Sequence, residues 1–179
     1  MILPDPGKMG GVAVAKRKVL YLLHGLSDDA SAWQRYSCVE TLATAYGLVV
    51  VMPSAGRSFY IDQPNGQGYF TYLTEELPHY LADVFGLAPR REDTFIAGNS
   101  MGGHGAFKAA LLHPELYAAS GRTCTSRGHK LRFFKELEHL LSHSGATPSW
   151  PRWAKSSITT GKSASTGSSP CVTSWRDVP

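Results

Sequence analysis

Gly98-Asn99-Ser100-Met101-Gly102 sets one serine between two glycines, the pattern G-x-S-x-G, and the flanking residues give that serine a chemistry. Thr94 to Gly98 is a short run with β-branched and aromatic residues. Gly102 to Leu112 repeats apolar residues at helical spacing and is stopped by His113-Pro114. A serine in so tight a strand-to-helix turn is lifted into the open, and Cβ atoms at Gly98 and Gly102 would collide with neighbouring backbone. The helix that follows turns its unpaired N–H groups and positive dipole end toward the serine, which favours an anion forming there. The chemistry is attack of a hydroxyl on a carbonyl carbon. Met101 N–H is then one oxyanion donor, and the second is expected from His24-Gly25-Leu26, directly after the apolar run ending at Leu23, with Leu26 N–H as the candidate. His24, with Gly25, is expected to shape that loop by local hydrogen bonds. Trp33 is either a wall of the acyl pocket or a core aromatic.

These residues need a scaffold that brings 24–26 beside 98–102. Lys18 to Leu23, Leu48 to Met52 and Thr94 to Gly98 read as strands buried on both faces. Ser31 to Tyr46, Thr71 to Phe85 and Gly102 to Leu112 read as helices, with Pro78 expected to kink or shorten the second. Strand and helix alternate. The fold class is therefore α/β, a mostly parallel sheet joined by right-handed crossovers with helices on both faces. At 179 residues and 42% apolar content the chain is long enough for one such domain.

Composition changes near Gly121. Residues 1–121 hold 9 Lys+Arg against 11 Asp+Glu, and residues 122–179 hold 9 against 3. From Ser144 onward Ser, Thr, Gly and Pro dominate, the composition of a disordered tail, with one helical pattern before it at 130–142. Cys38, Cys124 and Cys171 form no CxxC pair, so neither a disulfide framework nor a zinc site is indicated. No run of 18 apolar residues occurs, and a cytoplasmic protein without a membrane partner is expected.

The segments Tyr21-Leu22-Leu23-His24-Gly25-Leu26-Ser27-Asp28-Asp29, Val49-Val50-Val51-Met52-Pro53, Glu75-Glu76-Leu77-Pro78 and Ala97 to Lys108 together resemble the esterase D or tributyrin-esterase family of α/β-hydrolases, from about Ile2 to Gly121. The resemblance implies a cofactor-free serine hydrolase acting on short-chain esters or on the thioester S-formylglutathione, with Ser100 as nucleophile and Leu26 and Met101 at the oxyanion hole. Gly-His-Gly at 103–105 is similar to the S-formylglutathione hydrolases. In this fold an acid and then a histidine follow the nucleophile on loops after later strands. Here the later acids are Glu115, Glu136, Glu138 and Asp177, and the later histidines are His104, His113, His129, His139 and His143. Glu136 or Glu138 with His143 has the right order but lies on one short helical pattern. His104 is expected against the sheet edge, and His113 as a helix terminator. General base and acid therefore stay unassigned, and weak or absent turnover is expected.

A reading-frame shift after the Gly121 codon accounts for the break, with 1–121 as the N-terminal part of the hydrolase domain and the sheet ending after the next strand. An exposed sheet edge is then expected to favour self-association. Met1 leaves no room for an opening antiparallel hairpin. Two readings from other classes compete with this: a non-catalytic binding protein that keeps the fold, and a nucleic-acid or membrane-surface binder using Arg122, Arg127, Lys130, Arg132 and Lys135. Scattered charge without interleaved aromatics favours no nucleic acid partner.

Overall fold

A computed structural model describes residues 1–4, 7 and 13–123. Four strands form one parallel sheet: β1 (Val19–Leu23), β2 (Val49–Val51), β3 (Thr94–Asn99) and β4 (Ala119–Thr123), in the order β2-β1-β3-β4. The apolar runs become strands because parallel sheets are covered on both faces, so neighbouring residues can both be buried. β1 is buried along its full length.

Alternate residues of the strands feed two cores. Val19, Tyr21, Leu23, Val49, Val51 and Ile96 face one side, against Leu73, Leu77 and Leu81 of the long helical segment and Met101, Ala106 and Ala109 of α5 (Met101–Leu112). Leu20, Leu22, Val50, Phe95 and Ala97 face the other side, against Trp33, Val39, Ala43 and Tyr46. Helices thus cover both faces, as the alternation predicts.

One local expectation is corrected, and two other places gain detail. The helix expected over 31–46 is two, α1 (Ala32–Tyr36) and α2 (Val39–Tyr46). Ser37 is extended between them, and its hydroxyl donates to the carbonyl of Trp33, competing with helix continuation. Pro78 stands in the first turn of the last α-helical stretch of its segment. The chain runs from α3 (Tyr69–Thr71) through a π-helical turn (Tyr72–Glu76) into α4 (Leu77–Phe85), and the wider turn accommodates a residue that lacks an N–H and crowds the preceding carbonyl. At the chain start, Ile2 forms a single antiparallel bridge, exchanging hydrogen bonds of 2.8 and 3.0 Å with Val50 on the outer edge of β2. On the opposite edge, β4 pairs with β3 from Phe95↔Ala119 to Asn99↔Thr123 and has no further strand beside it among the described residues.

Candidate active site

The site lies at the carboxyl ends of β1 and β3, which run side by side in register from Val19↔Thr94 to Leu23↔Gly98. That register brings the loop after Leu23 against the turn after Gly98. Ser100 adopts φ 52° and ψ −111°, a conformation that costs an L-residue about 1–3 kcal/mol. Its flanking glycines explain how the turn closes. A Cβ on Gly98 would come within 2.3 Å of the Gly102 carbonyl carbon, and one on Gly102 within 2.4 Å of the Leu23 carbonyl oxygen. Backbone meets backbone at both positions. Strand, turn and first helical turn interlock, and Ser100 is left half-buried at the N-terminus of α5 with no hydrogen-bond partner for its hydroxyl among the described residues.

Gly25 accepts the N–H of Asp28 at 3.2 Å, so Leu26 occupies a corner of a tight turn. Leu26 packs against the core that holds Met101, and neither its N–H nor that of Met101 meets an acceptor among the described residues. Both N–H groups are thus without a partner among the described residues. Gly25 is tightly fitted, since a Cβ there would lie 3.2 Å from Asp28 Oδ2 and 3.4 Å from Asn99 Nδ2. The side-chain oxygen of Asn99, next to Ser100, is buried without a donor.

His24 is 1% exposed, and its hydrogen bonds define its tautomer. Ala55 N–H donates to Nε2 at 3.0 Å, so Nε2 is unprotonated; Nδ1 therefore carries the proton and donates to the Gly25 carbonyl at 2.7 Å. Tyr60 O–H donates to the His24 carbonyl at 3.3 Å. Both ring nitrogens are occupied, and the residue ties the Leu26 turn to the loop after β2. Tyr60 and Ala55 carry this arrangement and were not visible in the sequence. One signal existed: Gly105, where a Cβ would meet the Tyr60 ring at 2.7 Å.

The other candidates separate. Trp33 is a core residue whose indole N–H donates to the Leu23 carbonyl at 3.2 Å. His104 is exposed on α5 against the ring of Phe59, at 6.3 Å between centroids, and not on the sheet edge; Gly102, Gly103, Gly105 and Ala106 supply the buried face of that helix instead. His113 follows the last residue of α5, as expected of a terminator, and pairs with Glu115 at 3.1 Å. Twelve helical residues separate it from Ser100, a distance of about 18 Å along the axis. Glu136, Glu138, His129, His139, His143 and Asp177 lie outside the described residues. So do the helical pattern at 130–142, the disordered tail expected from Ser144, and the basic residues Arg127, Lys130, Arg132 and Lys135. Among the described residues no group of His, Cys, Asp or Glu is placed to hold a metal ion, and no helix is long and apolar enough to cross a membrane.

A strained serine between close-packed glycines, at the carboxyl edge of a parallel sheet covered by helices on both faces, defines the α/β-hydrolase class of fold. The chain belongs to the Esterase family, whose family model matches residues 9–163 and so continues past Gly121. It is 35% identical over 111 residues to an acetyl esterase of Caldicellulosiruptor saccharolyticus, covering 62% of this chain and 42% of that protein. It is 32% identical over 125 residues to an S-formylglutathione hydrolase of Bos taurus, covering 57% and 44%. The structure of FphF, a fluorophosphonate-binding serine hydrolase of Staphylococcus aureus, superimposes with a TM-score of 0.60 at 37% identity over 66% of this chain and 47% of that one. The chain spans under half the length of these relatives.

Proposed function

We propose that Ser100 is the nucleophile of an acyl hydrolase that cleaves short-chain esters or thioesters, with Leu26 and Met101 N–H groups binding the oxyanion. The observation that carries this reading is the backbone of Ser100, held at φ 52° by two glycines that admit no side chain. Strain of this kind persists where the surroundings over-determine it and is typical of reacting residues. Names of the relatives support the substrate class, an acetyl ester in one case and S-formylglutathione in the other.

In the reaction, Ser100 Oγ bonds to the carbonyl carbon and gives up its proton to a base. The tetrahedral oxyanion is held by two N–H groups already in place, which avoids reorganisation as charge develops. Collapse expels the alcohol or thiol, which takes the proton, and water then cleaves the acyl-serine. No histidine side chain among the described residues hydrogen-bonds the Ser100 hydroxyl, so in this reading acid and base come from outside the described residues. A serine without them retains about 10³–10⁴-fold over the uncatalysed rate. Translating the DNA after the Gly121 codon in the other two frames tests the frame-shift account, which fails if neither yields strand patterns with an Asp and a later His.

The deciding experiment is release of p-nitrophenolate from the acetate and butyrate esters by the 179-residue chain beside Ser100→Ala. Release above the variant supports the nucleophile and shows that a base exists within the chain. Equal release from folded protein, together with equal labelling by a fluorophosphonate, removes the reading for this chain. S-formylglutathione in the same assay separates ester from thioester preference. The edge of β4, unpaired among the described residues, supports self-association, which sedimentation at two protein concentrations measures.

A further inference from the structure

Phe59 stands out in the loop after β2. It and Tyr60 both adopt φ 54°, the left-handed region that bulky residues avoid at a cost of about 1–2 kcal/mol each. Ser58 and Tyr60 are 3% and 1% exposed, whereas the ring of Phe59 between them is 45% exposed. Two successive left-handed residues thus bury the neighbours and turn a large apolar ring outward.

The backbone holding that ring is anchored from several directions. Ser58 Oγ accepts Tyr60 N–H at 3.1 Å, and Ile61 N–H reaches the Ser58 carbonyl at 3.2 Å. The Tyr60 hydroxyl is tied to His24, and its ring lies against Gly105, where no Cβ fits. Phe59 is therefore fixed relative to the first turns of α5. Its ring meets His104 edge-on, at 6.3 Å and 78°. His104 N–H donates to the Ser100 carbonyl at 3.0 Å, so the Phe59–His104 pair stands one helical turn, about 5.4 Å, from Ser100. A single exposed phenylalanine is ordinary. One held outward by two strained residues, beside the candidate nucleophile and at the edge where α/β folds bind ligands, has a use for its exposure.

We propose that Phe59 is a specificity-determining residue, an apolar wall against which the uncharged acyl group of the substrate packs; this rests on Ser100 being the nucleophile. Each methylene seated on such a wall contributes about fourfold to affinity. The wall acts on ground state and transition state alike, so its loss raises KM more than it lowers kcat.

The test uses the 179-residue chain and compares Ser100-dependent hydrolysis of p-nitrophenyl acetate and butyrate by wild type, Phe59→Asn and Phe59→Tyr. Asparagine adopts the left-handed conformation more readily than phenylalanine, so the Asn variant is expected to fold with an unchanged or higher melting midpoint. It should lose about fourfold or more of the butyrate-to-acetate ratio in kcat/KM, mostly through KM, and the Tyr variant should retain the ratio. An unchanged ratio in Phe59→Asn, with release still dependent on Ser100, overturns the assignment of Phe59 alone. Release and fluorophosphonate labelling both equal in wild type and Ser100→Ala overturn the nucleophile, and the wall with it.

Discussion

Replacing Gly98 by alanine puts a methyl carbon 2.3 Å from the Gly102 carbonyl carbon, 2.4 Å from its oxygen and 2.9 Å from its Cα. All three are backbone atoms, so no side chain can swing aside. Ordinary contact begins at 3.4 Å, and reaching it requires strand β3 and helix α5 to separate by about 1 Å. The separation falls across Ser100. A reacting atom displaced by about 1 Å loses on the order of 10²-fold in rate. Overpacking a tight site costs about 1–3 kcal/mol, and backbone against backbone belongs at the upper end. Gly86→Ala is the control: Gly86 has φ 65°, but its Cβ would meet nothing nearer than Val14 at 4.0 Å, so the change carries only the left-handed penalty of about 1–2 kcal/mol. Urea titration followed by circular dichroism, with p-nitrophenyl acetate hydrolysis on the same samples, reads both consequences. Gly98→Ala should be the less stable and should fall to the Ser100→Ala level, while Gly86→Ala keeps wild-type hydrolysis. If Gly98→Ala is no less stable than Gly86→Ala and hydrolyses as wild type does, the interlocked turn is not what positions Ser100.

Ser100→Gly and Ser100→Ala both remove the hydroxyl, but glycine alone relaxes at φ 52°, so the glycine variant should be the more stable by about 1–3 kcal/mol in urea titration. Equal stabilities would mean that the turn holds no strain. His24→Ala leaves the Ala55 N–H without its acceptor in a buried site and is expected to cost about 1–3 kcal/mol while loosening the Leu26 turn. A melting midpoint within a degree or so of wild type would contradict the hydrogen-bond assignment. Desolvation by burial pushes the hydroxyls of Tyr21, Tyr60 and Tyr117 above their ordinary value. The native state then holds their protons more tightly than the unfolded chain does. Their contribution to stability is complete below about pH 10 and is lost as pH rises beyond it. Ultraviolet titration should show these tyrosines ionising together with alkaline unfolding; free titration of every tyrosine in folded protein near pH 10 would refute the burial.

Legibility in the sequence followed the range of the interactions involved. The strand cores at 19–23, 49–51 and 94–99 were readable because burial on both faces leaves a continuous apolar run. The turn at Ser100 was readable because glycine is the local solution to a local clash. Where a distant partner decides, the pattern was silent. The break at Ser37 depends on a side-chain bond to Trp33 that competes with the helix ladder, and helical periodicity runs straight through it. His104 has the spacing of a sheet-facing residue, but the small residues around it, not the histidine, allow α5 to approach β1. Nothing in the types of Phe59 and Tyr60 announces two positive φ angles. Only the packing of Tyr60 on Gly105 and its bond to His24 make that conformation the best available.

The two halves of a serine hydrolase site make different demands on a chain. Nucleophile and oxyanion donors require only that β1 and β3 be adjacent and in register, and here Leu23↔Gly98 delivers both at once. A general base must instead be brought to Ser100 Oγ by a separate loop, with one ring nitrogen free to take a proton. Each described histidine is committed elsewhere. His24 is held by Ala55 and Gly25, His79 bonds the Glu75 carbonyl at 2.7 Å, His104 stands exposed against Phe59, and His113 sits with Glu115 at the far end of α5. Moving any of them would break a contact that shapes the fold without adding the acid that must orient the imidazole. In the proposed reading, the half of the site that depends on neighbouring strands is supplied by β1 and β3, and a general base has still to be brought to Ser100 Oγ by another segment.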